Sequence, residues 1–223
     1  MTYQHSEMLI NFKGNGMRYK LIIFDFDGTL ADTYPWFLNT LGHVAEKYNL
    51  KRIDKNQEEE LRKLDAKSFI KHLKIPLYKL PQIAKYMRNL MTEQIDQITL
   101  FAGSEKLLRD LKDKGYKIAI VSTNSQENIR KVMGEELIKL NDHFAGGVSM
   151  FGKESKLIKV LKLSGVTKEE AIYIGDEIRD IQASQKIGLP VGAVAWGYNA
   201  AEAMAALNPT IMFNTLEEIL EKV

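Results

Sequence analysis

Short, almost continuously apolar runs punctuate the chain at Tyr19–Phe24, Tyr116–Val121, Ala171–Ile174 and Val191–Trp196, with a shorter one at Thr210–Phe213. Runs of this length, rich in Ile, Val, Ala and aromatics, predict strands. They are apolar at successive rather than alternate positions, so both faces must be covered, as in a parallel sheet between helices. Between them, apolar residues recur at helical spacing, as at Leu107, Leu108 and Leu111 and at Leu157, Ile158 and Leu161. Ser104, following Gly103, is the expected N-cap of the first of these helices. The pattern predicts an α/β protein with a Rossmann-like, doubly wound parallel sheet, in which Thr210–Phe213 adds an edge strand.

One interval breaks the alternation. About ninety residues separate the first two strands, roughly three times what a simple crossover of about thirty residues needs. From Tyr34 to Ile98 the spacing is helical throughout: Phe37, Leu38, Leu41, Val44; then Leu61 and Leu64; then Phe69, Ile70, Leu73; then Ile83, Met87, Leu90. The expected organisation is a core formed by residues 17–33 and 99–223, with an inserted α-helical cap at 34–98 over the strand ends. Residues 1–16, polar and containing Gly and Asn, read as a flexible extension. Met87 and Met91 sit at core spacing, and Glu58-Glu59-Glu60 read as a solvated helix face.

Composition narrows the chemistry. Among 223 residues, 31 Lys+Arg balance 29 Asp+Glu, so nothing calls for a nucleic-acid partner. Cysteine is absent, which removes disulfides, Cys-ligated zinc, iron–sulfur clusters and thiol nucleophiles together. His5, His43, His72 and His143 are scattered with no HExxH spacing. No run approaches the ~18 apolar residues of a membrane span, and the first twenty residues lack a signal-peptide apolar region. A cytoplasmic protein without membrane attachment is expected.

The first strand ends in Phe24-Asp25-Phe26-Asp27-Gly28-Thr29-Leu30. Carboxylates two apart on a strand point the same way, while Phe24 and Phe26 point into the core. Gly28 permits a sharp exit, and Thr29 is expected to hydrogen-bond back and steady the turn. Ligand crevices in such sheets lie outside the carboxyl ends of the strands, which is where this pair falls.

Here the sequence resembles the haloacid dehalogenase superfamily, whose phosphatases carry DxDGT[LV] at this place. The remaining signatures follow in order: Ser122 after Ile118–Val121, then Thr123; Lys153 after Phe151-Gly152, with Lys156 one turn on as an alternative; and Gly175-Asp176-Glu177-Ile178-Arg179-Asp180, matching GDxxxD. The resemblance implies Mg²⁺-dependent hydrolysis of a small phosphorylated metabolite, most like the phosphoglycolate phosphatase group. In that scheme Asp25 is the nucleophile that forms an aspartyl-phosphate, and Asp27 is the general acid and base. Ser122 and the Thr123 N–H would bind phosphoryl oxygens, and Lys153 would neutralise charge. The implied metal ligands are Asp25, the backbone carbonyl of Asp27, and Asp176. Asp180 would act through a water or orient the shell, with Glu177 further out. Two rivals remain, a phosphomutase of the β-phosphoglucomutase type and a non-catalytic binding protein on the same scaffold.

Gly147–Glu154 falls one residue short of the P-loop pattern GxxxxGK[ST], and Glu154 would set a negative charge beside phosphates. The lysine there makes better sense as the phosphoryl-neutralising one. Trp196-Gly197-Tyr198-Asn199 follows a strand and is expected at the crevice rim. In the cap, Arg62, Lys63 and Lys67 surround Asp65, an expected N-cap. Arg62 has the fork for a second anionic group on the substrate. Lys63 and Lys67 share a face if the helix is unbroken.

Overall fold

The computed structural model describes residues 18–147 and 152–223. The expected extension at 1–16 and most of the Gly147–Gly152 loop lie outside the described residues. The first strand, β1 (Leu21–Phe24), is followed by four α-helices within residues 34–98: α1 (Tyr34–Tyr48), α2 (Glu58–Arg62), α3 (Ala66–His72) and α4 (Leu80–Glu93). Then come α5 (Ser104–Asp113), β2 (Lys117–Val121), α6 (Gln126–Ile138), β3 (His143–Ala145), α7 (Lys153–Ser164) and β4 (Ala171–Gly175). The chain closes with α8 (Ile178–Lys186), β5 (Val191–Val194), α9 (Ala201–Ala205), β6 (Ile211–Phe213) and α10 (Glu217–Lys222).

The six strands form one parallel sheet in the order β3-β2-β1-β4-β5-β6. β1 is central, with Ile22 paired to Ile118 on one side and Ile172 on the other. Alternate residues feed two cores. Ile22, Phe24, Ile118, Ile120, Ile172 and Ile174 face Leu108 and Leu111 of α5, Ile129 of α6 and Ile219 of α10. Leu21, Ile23, Ala119, Val121 and Tyr173 face Leu157 and Val160 of α7 and Ile181 of α8. Burial on both faces is the physical reason these strands read as unbroken apolar runs.

Several details differ from the sequence reading. β3 carries no such run, since three half-buried residues at the sheet edge need no apolar continuity. Ser104 is not a cap: Gly103, at φ 99°, holds that position, and the Ser104 hydroxyl donates to the Leu30 carbonyl at 2.9 Å. The positive φ explains the switch, because a residue in that region is best a glycine. Ile158 is 52% exposed, and Val160 takes the buried place on α7. Lys63 and Lys67 do not share one helix, because α2 ends at Arg62 and Asp65 restarts the chain as α3, its carboxylate accepting from the Ser68 N–H at 2.7 Å. Met91 is in the core, with Met87 packed against it.

Candidate active site

The central strand delivers the first acidic residue. The Asp25 N–H donates to the Ile174 carbonyl at 2.8 Å, so the chain is still tied to β4 when it reaches this buried side chain. Beyond it the backbone coils, with the N–H groups of Leu30 and Ala31 both donating to the Phe26 carbonyl. Gly28 makes the coil possible: its φ is +71°, and a Cβ there would lie 2.2 Å from Asp176 Oδ2. Thr29 bonds back within the turn through its backbone, its N–H donating to the Phe26 carbonyl at 3.3 Å, but its hydroxyl goes elsewhere. Its hydroxyl donates to Asp176 Oδ1 at 2.8 Å, because the turn packs directly against the end of β4 and offers a buried carboxylate a donor.

Asp25, Asp176 and Asp180 are buried and converge, with one carboxylate oxygen of each within 4.8 Å of the others. Asp176 Oδ2 accepts from the Tyr198 N–H at 2.8 Å. Asp180 is direct in this cluster rather than set back from it. Lys153, at the first position of α7, reaches in to donate to Asp25 Oδ2 at 2.6 Å and Asp180 Oδ1 at 2.5 Å. Lys156 lies on the exposed side of α7, so of the two lysines it is Lys153 that reaches the acidic cluster.

Electrostatics follow from burial. Desolvation, followed by the charges of Glu177, Asp180 and Asp25, pushes the Asp176 carboxyl well above its usual range. Desolvation also raises Asp25, against the pull of Lys153. Burial works against the Lys153 charge, but Asp180 and Asp25 together hold its pKa above the usual value. Among the described residues, the carboxylates of Asp25, Asp176, Asp180 and Glu177 meet the cations of Lys153 and Arg179. Buried acid therefore exceeds buried base, and the donor set is oxygen. That combination suits a hard divalent cation such as Mg²⁺, which would offset the surplus charge.

Asp27 lines the crevice. Its Oδ1 accepts from Asn124 Nδ2 at 2.9 Å, and its pKa is pushed up to about 7 by desolvation and then by the Asp25 charge. Asn124 is held in turn: its own N–H donates to Ser122 Oγ at 3.1 Å, and its Oδ1 accepts from the N–H of Ser125 at 2.8 Å. Ser122 is buried at the end of β2, and Thr123 lines the crevice beside it.

The sequence singled out neither Asn124 nor the side chain of Arg179. Asn124 carries one faint signal, its place two residues after Ser122 at a strand end. Arg179 stands inside the GDxxxD stretch. Its Nη2 pairs with Glu177, while its Nε and Nη1 are buried with no hydrogen-bond partner among the described residues. Glu177 and Arg179 both line the crevice, so two unpaired guanidinium donors stand next to the acidic cluster. A bound anion would satisfy them.

Arg62 reaches the crevice, but its guanidinium is committed. Its Nη2 donates to the Gly197 carbonyl at 2.7 Å and its Nε to the Tyr198 carbonyl at 3.2 Å. Asn199 answers by donating from Nδ2 to the carbonyls of Arg62 and Leu64 at 2.6 and 2.9 Å. Trp196–Asn199 is thus one seam between the helices inserted after β1 and the sheet, with Tyr198 edge-on to Tyr34 and Phe37. Lys63 pairs with Glu60 at the surface, and Lys67 lies near Lys153 and Arg179 in a smaller cleft. No helix among the described residues is long and apolar enough to cross a membrane.

Residues 22–194 match the family model for haloacid dehalogenase-like hydrolases. A phosphoglycolate phosphatase of Synechococcus elongatus is 26% identical over 203 residues, spanning 91% of this chain and 96% of its own length. Pyrophosphatase PpaX of Bacillus cereus is 26% identical over 211 residues, covering 92% and 96%. Among solved structures, a haloacid dehalogenase-like family protein from Streptococcus pneumoniae superposes with a TM-score of 0.75 at 20% identity, covering 92% of this chain and 98% of that one. CbbY from Rhodobacter sphaeroides, in complex with phosphate, gives 0.69 at 21% identity, covering 90% and 96%. At those identities the solved structures speak for the fold alone. The matched span runs from β1 through β5 and contains Asp25, Asp27, Ser122, Lys153, Asp176 and Asp180, and by it the chain belongs to the haloacid dehalogenase-like hydrolase family.

Proposed function

We propose that the protein is a Mg²⁺-dependent phosphatase that hydrolyses a phosphomonoester through an aspartyl-phosphate, with Asp25 as nucleophile and Asp27 as acid and base. The observation that carries this is the division of labour between the two carboxylates. Asp25 is buried against Lys153 within a charge-rich cluster, while Asp27 lines the crevice and accepts from Asn124. A binding protein needs no such division. The names of the phosphoglycolate phosphatase and pyrophosphatase relatives point to the same reaction class.

Asp25, Asp176 and Asp180 would hold the metal with the Asp27 carbonyl, and bound there it would neutralise charge on the phosphoryl group. The chain's own residues do the rest. Lys153 sets a compact positive charge beside Asp25, offsetting repulsion between the carboxylate and a phosphate dianion. Ser122 and the Thr123 N–H hold phosphoryl oxygens, and Arg179 has two donors to add. The Asp25 carboxylate attacks phosphorus, the phosphorus–oxygen bond to the alcohol breaks, and Asp27 donates its proton to the departing oxygen. Asp27, now ionised, takes a proton from the water that attacks the phosphorylated Asp25 and returns it to its carboxylate state. Asn124 keeps Asp27 aimed through both halves.

Purified protein should release phosphate from p-nitrophenyl phosphate with Mg²⁺ and stop on addition of EDTA, and Asp25→Asn should abolish turnover. Unchanged rates in Asp25→Asn would rule out the covalent route.

A further inference from the structure

The crevice does not end at the catalytic carboxylates. From Asp27 and Asn124 it continues into the cap as a space of about 600 Å³, within the range of pockets that enclose sizeable ligands. Its walls in the cap are the facing apolar sides of the helices, among them Leu41, Val44, Phe69, Ile70, Ile83 and Met87. The polar groups of that wall are largely engaged with the protein itself. Arg62 is held by core carbonyls, Glu58 accepts from the Tyr34 hydroxyl at 3.1 Å, and Lys51 lies 3.1 Å from His72. A two-carbon acid such as glycolate would leave most of this volume unfilled and its apolar surface wet, at a cost of roughly 25 cal/mol per Å².

From this continuity between catalytic end and apolar chamber, we infer that the substrate is a phosphomonoester of a largely apolar alcohol, whose carbon body occupies the cap while its phosphate meets Asp25. The inference rests on the phosphatase reading above and adds the leaving group to it. It departs from the small, wholly polar substrates that the relatives' names indicate. Burial of each further carbon should strengthen binding of ground and transition states together, so the gain should be read in KM and kcat/KM more than in kcat. Arg88, which also lines the space, is the group through which an anionic leaving group would be recognised instead.

The test is a series of n-alkyl phosphates from ethyl to octyl, with 2-naphthyl phosphate and phosphoglycolate, assayed by phosphate release with saturating Mg²⁺. The proposal expects kcat/KM to rise about two- to fourfold per methylene until the chamber is filled, and naphthyl phosphate to exceed phosphoglycolate. Ala84, on α4, lines the chamber; Ala84→Trp should fill it and collapse the octyl-to-ethyl ratio, with the milder Ala84→Leu shifting the optimum to shorter chains. A flat alkyl series, or preference for phosphoglycolate that Arg88→Ala removes, overturns the apolar assignment while leaving the phosphatase reading intact. Release from none of the esters, p-nitrophenyl phosphate included, overturns that reading and this inference with it.

Discussion

At the scale of single residues, the two aspartates at the end of β1 have the same charge and opposite surroundings. Asp25 shares Lys153 with Asp180, whereas Asp27 has Asn124. Asp27→Asn should therefore lower turnover of alkyl phosphates by about 10²–10⁴-fold, the usual worth of a positioned acid. An aryl phosphate, whose leaving group departs without a proton, should lose less in its first step, and phosphorylated Asp25 should accumulate on rapid quenching. Equal losses on both ester types without accumulation would take Asp27 out of this role. Asn124→Ala removes the donor that orients Asp27 while keeping its carboxylate, so kcat should fall with the charge of the site unchanged. That Asp25, Asp27, Ser122 and Asp176 would stand at the strand ends, and Lys153 where a helix begins, was legible because each sits in a short, ordered motif. Asn124 was not, since its role exists through a hydrogen bond to a residue 97 positions away.

At the scale of elements, the least legible strand has the clearest anchor. Just before β3, Asp142 accepts from the Ile118 N–H and from Lys112 Nζ, both at 2.8 Å, while its own N–H donates to the Ile118 carbonyl. These bonds fix the register of β3 beside β2 in place of the apolar run that the central strands use. Burial opposes the Asp142 charge, but Lys112 and the Ile118 N–H outweigh it and hold the carboxyl below its usual range. A depressed pKa stabilises the fold above the unfolded value of about 3.9, and the contribution is lost as pH falls through the folded value. Asp142→Asn should thus lower stability at pH 7 by about 1 kcal/mol or less given its partial exposure, read as a drop in Tm. The gap to wild type should narrow when both melt near pH 3. A gap independent of pH would mean the carboxylate charge plays no part. The α2–α3 junction shows the reverse case: Asp65 as N-cap was readable from local chemistry, because a cap needs nothing beyond its own first turn.

At the scale of the whole molecule, the helices inserted after β1 are tied to the rest by reciprocal bonds at two places: Arg62 to the carbonyls of Gly197 and Tyr198 with Asn199 back to those of Arg62 and Leu64, and, on α4, the Thr92 hydroxyl to Asn128 with Asn128 Nδ2 back to the Arg88 carbonyl. Arg62→Ala should loosen the first of these by about 1–2 kcal/mol, the scale of charge-assisted hydrogen bonds. Amide exchange in residues 61–72 should quicken, and turnover of p-nitrophenyl phosphate and phosphoglycolate should fall by a similar factor. Loss confined to phosphoglycolate would instead give Arg62 the anion-binding role that its sequence context suggested.

The division between what could be read and what had to be seen follows from the range of the forces. The sequence by itself determined the parallel sheet, because strands buried on both faces leave a composition that needs no partner to be recognised. It also marked which carboxylates stand at or just beyond the strand ends, Asp25, Asp27, Asp176 and Asp180, since each lies in a short motif in fixed local order, and the structure gathers three of them into one cluster. Tertiary structure decided that Lys153 rather than Lys156 reaches Asp25, and that the Thr29 hydroxyl goes to Asp176. It decided too that Arg62 closes a seam and that the cap encloses an apolar chamber. Each of these depends on which distant side chain arrives within about 3 Å, the reach of a hydrogen bond, and that distance is set by packing.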